Sequence, residues 1–143
     1  MAMLPQACSQ RRIDMNIDLS TIFKPKDNRL AEARAYLSRN VSKTRYAARE
    51  QRGLDFDIDI DYVMNLLASQ NGKCALTGWD FEFTRGGNFH GKNPYGCTMD
   101  RKNNSLGYVP GNIQLVCWKI NKLKGEFDDD EFKTICKLIA SHA

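Results

Sequence analysis

Residues 97–121, CTMDRKNNSLGYVPGNIQLVCWKIN, contain the clearest structural pattern of this chain. Residues 97–100 predict a short strand, and the apolar run at 113–117 predicts a second one. The loop between them carries Pro110-Gly111, a pair typical of tight turns. The helical segment that follows, WKINKLKG, ends at Gly125. The predicted local order is therefore strand, loop, strand and helix.

Two polar residues of this unit are candidates for a shared site. Asp100 ends the first strand, and Asn121 lies in the short helix. Packing of the helix on the hairpin would bring the two side chains together. The stretch by itself is compatible with an active site and also with an ordinary hairpin that has a polar rim. Features elsewhere in the chain are needed to distinguish an active site from an ordinary hairpin.

A long basic helix is predicted over residues 27–53, with Asp27 as its N-cap and Gly53 after its end. Its apolar positions follow helical spacing and predict a buried stripe of Leu30, Ala33, Leu37, Val41, Thr44 and Ala48. Another face carries three arginines, Arg45, Arg49 and Arg52. Such a ridge can bind phosphates along a nucleic-acid backbone, and it can equally be a solvated surface. Residues 1–26 lack periodicity and are predicted as a tail.

The middle of the chain predicts two more strands and a helix. The segment LDFDIDI, residues 54–60, alternates with the period of a strand. Asp59 is then predicted as the N-cap of a helix whose C′ residue is Gly72. A tight turn at 77–78 precedes a short alternating strand over residues 79–83.

A final helix is predicted near the end of the chain. Acids in its first turn suit the helix dipole. Its apolar residues predict a buried face of Phe132, Ile135, Cys136 and Ile139. The fold class is α+β and helix-rich. The predicted organisation is a tail (1–26), a basic helix (27–53) and one domain (54–143).

Composition and charge limit the class of protein. The 143 residues are 42% hydrophobic and 27% charged, as in soluble globular proteins. We expect no membrane span, no exported form and a cytoplasmic location. The net charge is +4, and the cations cluster: residues 24–53 hold nine Lys or Arg against three acids. This clustering favours a polyanion-binding face, although solvated helices explain it equally well.

A family resemblance connects these features. The segment GKCALTG, followed by TMDRKNNSLGYVPGNIQLVCWKINKLKG, resembles the HNH endonucleases, which have the ββα-metal fold. The motifs agree in order and spacing from about Arg52 to Phe132. The resemblance implies a ββα-metal core with flanking helices, and metal-dependent hydrolysis of DNA phosphodiester bonds in a bacterial or phage-infected cell. RNA is not excluded as substrate. The alternative is a protein of this fold that binds nucleic acid without cleaving it.

The resemblance implies that Asp100 and Asn121 bind Mg²⁺, with Mn²⁺ as a substitute. One carboxylate and one amide suffice because Mg²⁺ keeps several waters and also binds the substrate phosphate. The best-known pattern has a histidine base after the aspartate, where this chain has Arg101. A guanidinium stays protonated, so Arg101 is predicted to bind phosphate. The predicted base is His90 first and Tyr95 second, and His90 fits an exposed loop residue equally well.

Three further expectations come from the resemblance. Lys122 and Lys124 are predicted to contact phosphates near the cut, although surface solubility explains them nearly as well. Zinc-bearing relatives hold the metal with two Cys pairs, and each pair here lacks one thiol. Thr77 stands three positions after Cys74, and Ile120 three after Cys117. We therefore expect no structural zinc. A symmetric homodimer is a reasonable arrangement for a double-strand cutter.

Overall fold

The computed structural model describes residues 28–84 and 92–142. The described part is α+β, with four α-helices and one two-stranded antiparallel sheet. The elements, in chain order, are α1 (Arg29–Tyr46), α2 (Ile60–Ser69), β1 (Cys97–Arg101), β2 (Ile113–Cys117), α3 (Trp118–Lys124) and α4 (Asp129–Ser141). The predicted tail, the Asp27 cap and His90 lie outside the described residues. No helix in the described ranges is long and apolar enough to cross a membrane.

The hairpin predicted from the central stretch is confirmed. β1 and β2 pair antiparallel, with Cys97 opposite Cys117 and Asp100 opposite Gln114. Every residue of β2 is buried, so this strand forms the middle of the core. α3 begins at the residue after β2, and the absence of a connecting loop forces it to pack back onto the hairpin.

The long helix also forms as predicted, with one local change. Four residues of the predicted stripe are buried: Ala33, Leu37, Val41 and Ala48. Leu30 and Thr44 are half-buried. α1 continues into a π-helical turn at Ala47–Gln51, where each hydrogen bond spans one more residue. This turn keeps Ala48 in the core at the C-terminal end of the helix.

The strand predicted at 54–60 is wrong. Phe56 and Ile58 are buried and the acids beside them are exposed, so the alternation in burial is present. However, only Phe56 pairs with another segment, through an isolated bridge to Tyr108. The strand predicted at 79–83 is wrong for the same reason, since only isolated bridges form there. A segment whose residues alternate between buried and exposed, but which pairs with no second strand, is extended without being part of a sheet.

The caps of α2 were predicted in part. Asp59 is the N-cap, and its Oδ1 accepts a hydrogen bond of 2.8 Å from the backbone N–H of Tyr62. The predicted C′ residue, Gly72, is wrong by one position. α2 ends at Ser69 with Gln70 as C-cap, and the next residue, Asn71, has a φ of 55°. Asparagine tolerates this left-handed conformation better than most residues.

The burial predicted for α4 is wrong. None of its residues is buried, and Ile139 is 70% exposed. Only its first turns contact the described core, where Phe132 packs and the backbone N–H of Asp129 donates to Lys102 O (3.1 Å). An amphipathic pattern predicts an apolar face but does not show what covers it.

Gly107→Ala is expected to lower the free energy of unfolding by about 3 kcal/mol or more. A Cβ at Gly107 would overlap the carbonyl oxygen of Asp55 and lie 2.9 Å from its nitrogen. Neither backbone atom can move easily, because Tyr108 N donates to Asp55 O and Asp57 N donates to Tyr108 O, both at 2.8 Å. Urea denaturation measures the effect.

Gly53→Ala is the matched control for this prediction. Its added Cβ meets no atom within 4 Å, and only its φ of +60° opposes the substitution. We expect a loss of about 1 kcal/mol there. Equal losses for the two variants would contradict the close approach at Gly107.

Candidate metal centre and basic cleft

The side chain of Asp100 is held in a fixed orientation near the end of β1. The residue is 4% exposed. Its Oδ2 accepts hydrogen bonds from Lys124 Nζ at 2.8 Å and from Gln114 Nε2 at 2.9 Å. Neither bond uses Oδ1. The carboxylate therefore has one committed oxygen and one that these two donors leave free.

Lys124 is fully buried in α3 and contacts three oxygens. Besides Asp100, its ammonium lies 2.7 Å from Arg101 O and 3.0 Å from Asp129 Oδ1. It cannot reach a phosphate at the surface, so the predicted phosphate contact is wrong for this residue. Lys124 lies three positions after Asn121, and that spacing puts both on the helix face that packs against the hairpin. Lys122 is exposed, with Nζ 6.0 Å from the centre of the Trp118 ring.

Asn121 lies one helical turn before Lys124 and is half-buried. Its Nδ2 donates to Thr98 Oγ1 at 3.1 Å and to Met99 O at 3.3 Å. Met99 is the residue before Asp100, so α3 brings Asn121 next to the part of β1 that carries the aspartate. These hydrogen bonds use only the amide nitrogen. The two predicted metal ligands, Asp100 and Asn121, therefore lie in the unit formed by the hairpin and α3.

The donor atoms suit a hard divalent cation. A carboxylate oxygen and an amide oxygen are ligands that Mg²⁺ accepts, and it fills its other positions with water and substrate phosphate. The described residues contain no group of three or more His, Cys, Asp or Glu that could hold a metal. Mg²⁺ would therefore need non-protein ligands at Asp100 and Asn121, which is typical of its sites in phosphate-processing proteins.

A cleft of about 350 Å³ opens between α1, β1 and α3. Asn121 lines it, as do Thr98 and Met99, whereas Asp100 is not among its lining residues. Three cationic side chains line it: Lys43, Arg52 and Lys92. None of the described lining residues is acidic. A cleft of this charge favours a polyanion over a cation or a neutral ligand.

The predicted arginine ridge divides between two places. Arg52 lines the basic cleft, where its guanidinium donates to the Tyr108 hydroxyl at 3.2 Å. Arg45 lies 5.3 Å from the centre of the Phe56 ring, and Arg49 donates to Phe56 O at 2.7 Å. These two line a separate concavity with Asp57 and Asp59. The neighbouring carboxylates weaken attraction for phosphate there, so Arg52 is the best placed of the three.

The other predicted catalytic residues lie away from the cleft lining or outside the described ranges. Arg101 Nη1 donates to Asn104 O at 2.8 Å and Leu106 O at 3.0 Å, and it thereby braces the loop between the strands. Tyr95 is 42% exposed, and its ring packs edge-on against Trp79 at 5.7 Å between centroids. Neither lines the basic cleft. His90 lies outside the described residues.

Several residues of the site were missed in the sequence. Lys43 was detectable, because Tyr36, Asn40, Lys43 and Ala47 share one face of α1 by their helical spacing, and all four line the cleft. Gln114 lies directly opposite Asp100 in the hairpin, so only the exact strand register would have identified it. Asp129 was not detectable, since it joins Asp100 only through Lys124 and Gln114. Within the loop between the strands, the amide of Asn112 donates to Asn103 O (3.1 Å) and Gly107 O (2.9 Å).

Three buried cysteines lie behind the hairpin, away from these residues. The turn after α2 packs on β2, so that Cys117 N donates to Cys74 Sγ at 3.4 Å, and Cys97 faces Cys117 across the sheet. The thiol hydrogen bond between Cys74 and Cys117 lowers the pKa of Cys74 and raises that of Cys117. Burial raises the pKa of Cys97. The absence of a structural zinc stays a prediction.

The comparisons with known proteins leave the family open. No family model matches the chain, and no solved structure matches it. The chain is similar to a protein of Enterobacteria phage T4, described as an uncharacterized 29.0 kDa protein in the dda-modA intergenic region, with 26% identity over 95 residues. The similarity covers 66% of this chain and 34% of the T4 protein. The chain thus matches about a third of that protein's length.

Proposed function

We propose that this chain is a metal-dependent DNA endonuclease with a ββα-metal core formed by β1, β2 and α3. The observation that supports this most is the position of Asn121. Its amide binds the backbone beside Asp100, and the same residue lines a cleft with three cations. Two oxygen ligands next to a basic cleft would supply two of the requirements of phosphodiester hydrolysis, a site for a hard cation and a surface for the DNA backbone.

The proposed division of labour follows from the contacts. Asp100 Oδ1 and Asn121 Oδ1 would hold Mg²⁺, which supplies charge neutralisation and an activated water when bound. Lys43, Arg52 and Lys92 would bind phosphates of the DNA backbone. Arg101 keeps the loop between the strands in place and would direct its remaining N–H groups to phosphate. Lys122, which is exposed, would contact DNA further along the strand.

The alternative is a nucleic-acid-binding protein that does not cleave. The contact that favours it is the ion pair between Asp100 and the buried Lys124, because a neutralised carboxylate binds a cation weakly. The basic cleft would then serve binding alone. The alternative predicts DNA affinity that is independent of Mg²⁺.

Incubation with supercoiled plasmid separates the two proposals. The endonuclease converts plasmid to nicked or linear DNA with Mg²⁺ or Mn²⁺, and EDTA stops the conversion. Retarded plasmid that stays supercoiled in both metals would favour the binding protein. Light scattering of the purified chain, free and with DNA, tests the proposed homodimer.

Lys43→Ala and Lys92→Ala are each expected to weaken DNA binding roughly 3- to 10-fold at 0.1 M salt. Each should also reduce the slope of log K against log salt by about 1, since each removes one phosphate contact. Fluorescence anisotropy with a duplex at several salt concentrations measures both quantities. Lys137→Ala is the control, because it removes the same charge from the exposed α4. Equal effects at all three positions would contradict the cleft as the DNA site.

His90→Ala is expected to lower the cleavage rate by about 10²- to 10⁴-fold, the usual contribution of a general base. Tyr95→Phe should leave the rate nearly unchanged if His90 is the base, and should reproduce the loss if Tyr95 is. Single-turnover cleavage of a labelled duplex measures the rate. Full activity in both variants would exclude both candidates.

A further inference from the structure

Four side chains from four different elements form a closed, largely buried network around Asp100. Lys124 Nζ lies 2.8 Å from Asp100 Oδ2 and 3.0 Å from Asp129 Oδ1. Gln114 Nε2 donates to the same two oxygens, at 2.9 Å and 2.8 Å. Each of the two donors, Lys124 and Gln114, thus contacts both carboxylates. The network joins β1, β2, α3 and α4.

The charges in this network do not cancel. It contains one ammonium, two carboxylates and a neutral amide. The Lys124 side chain has no exposed surface, and those of Asp100 and Asp129 are 5% and 16% exposed. A lone Lys–Asp pair at Asp100 would be neutral overall. Because Asp129 shares the same ammonium, Asp100 keeps part of its negative charge.

We propose that Asp129 is a positioning residue of the candidate metal centre. It draws the ammonium of Lys124 and the amide of Gln114 into a bridging position, from which both donors fix Asp100 Oδ2 and leave Oδ1 to a divalent cation. It also supplies the excess negative charge that the cation needs. This inference rests on the proposed function, because it assumes that Asp100 binds metal.

The helix α4 is attached to the rest of the described structure next to this network. Its first turn is fixed to the loop after β1, where Asp129 N donates to Lys102 O at 3.1 Å and Asn104 N donates to Asp128 Oδ1 at 2.7 Å. Beyond Phe132, every residue of α4 except the half-buried Ile135 is exposed. The described core therefore holds α4 mainly by the end that carries Asp129. Such an attachment places a carboxylate beside Asp100 with little other contribution to the core.

The test is a titration of the full chain with Mn²⁺, followed by electron paramagnetic resonance of the free ion. Asp129→Asn keeps the shape of the side chain and removes its charge. We expect it to lower Mn²⁺ affinity by about 10-fold or more, as mutation of outer-shell partners typically does. Asp130→Asn is the matched control, since it removes the same charge from the next residue of α4, which is exposed and lies outside the network. It should bind Mn²⁺ like the parent.

The outcomes distinguish the inference from the proposed function. If Asp100→Asn loses Mn²⁺ while Asp129→Asn matches Asp130→Asn, the role of Asp129 is wrong and the metal site stands. If Asp100→Asn binds like the parent, or the parent binds no Mn²⁺, the metal site is wrong and the inference with it. Should Asp129→Asn not fold, Asp129→Glu carries the test. It keeps the charge, so we expect affinity within about threefold of the parent, and a tenfold loss in a folded variant would overturn the charge argument.

Discussion

Asp100→Asn is expected to lower metal-dependent DNA cleavage by at least about 100-fold, the scale of removing one stabilising group from a catalytic centre. The amide can still accept from Lys124 and Gln114, so the fold and the network contacts are retained. What it loses is the negative charge that the proposed metal centre needs. Initial rates of plasmid nicking at saturating Mg²⁺ measure the effect.

Asp130→Asn is the control for this variant, because it removes a carboxylate that makes no contact with Asp100. DNA affinity of Asp100→Asn should equal that of the parent in the presence of EDTA, since Asp100 does not line the basic cleft. A cleavage rate within threefold of the parent would exclude Asp100 as a metal ligand.

Lys124→Met is expected to lower the free energy of unfolding by about 3–5 kcal/mol, the usual loss when one partner of a buried ion pair is removed. Methionine fills a similar volume, so the loss reports the charge. Without the ammonium, Asp100 and Asp129 would be left in a largely buried place with Gln114 as their shared donor. Two carboxylates accepting from one amide would also repel each other.

Urea denaturation of the parent and of Lys124→Met measures this loss. Lys122→Met is the matched control on the same helix, and its exposed position predicts a change within about 0.5 kcal/mol. Similar midpoints for both variants would contradict the burial of Lys124 and its contacts with the two carboxylates.

The hairpin, α3 and the cap of α2 could be predicted because each depends on residues close together in the sequence. Asp59 caps the turn that directly follows it, and β2 runs into α3 without a loop. The strand expected at 54–60 failed for a different reason. Its alternation correctly predicted burial of Phe56 and Ile58, but periodicity does not reveal whether a second strand lies alongside.

Residues of the candidate site could be predicted only where a recognisable motif gives both the residue type and its position. Asp100 and Asn121 were predicted as ligands because motifs carry them, and the order of hairpin and helix accounts for the position of Asn121 beside the strand that carries Asp100. Lys124 was misjudged because lysine is usually exposed, although its spacing from Asn121 puts it on the inner face of α3. Gln114 is the cross-strand neighbour of Asp100, so finding it required the exact register of the hairpin. Asp129 comes from α4 through contacts with Lys124 and Gln114, and no local pattern in the sequence connects it to Asp100.

We propose that Asp100 and Asn121 form one metal centre that cleaves DNA. The most direct measurement is conversion of supercoiled plasmid in Mg²⁺ by the parent chain and by Asn121→Ala. We predict that the parent nicks the plasmid and that EDTA abolishes the nicking. The rate for Asn121→Ala should be lower by at least about 100-fold, as for loss of a stabilising group. A parent that leaves the plasmid intact in both Mg²⁺ and Mn²⁺, or an Asn121→Ala variant as active as the parent, would exclude this metal centre.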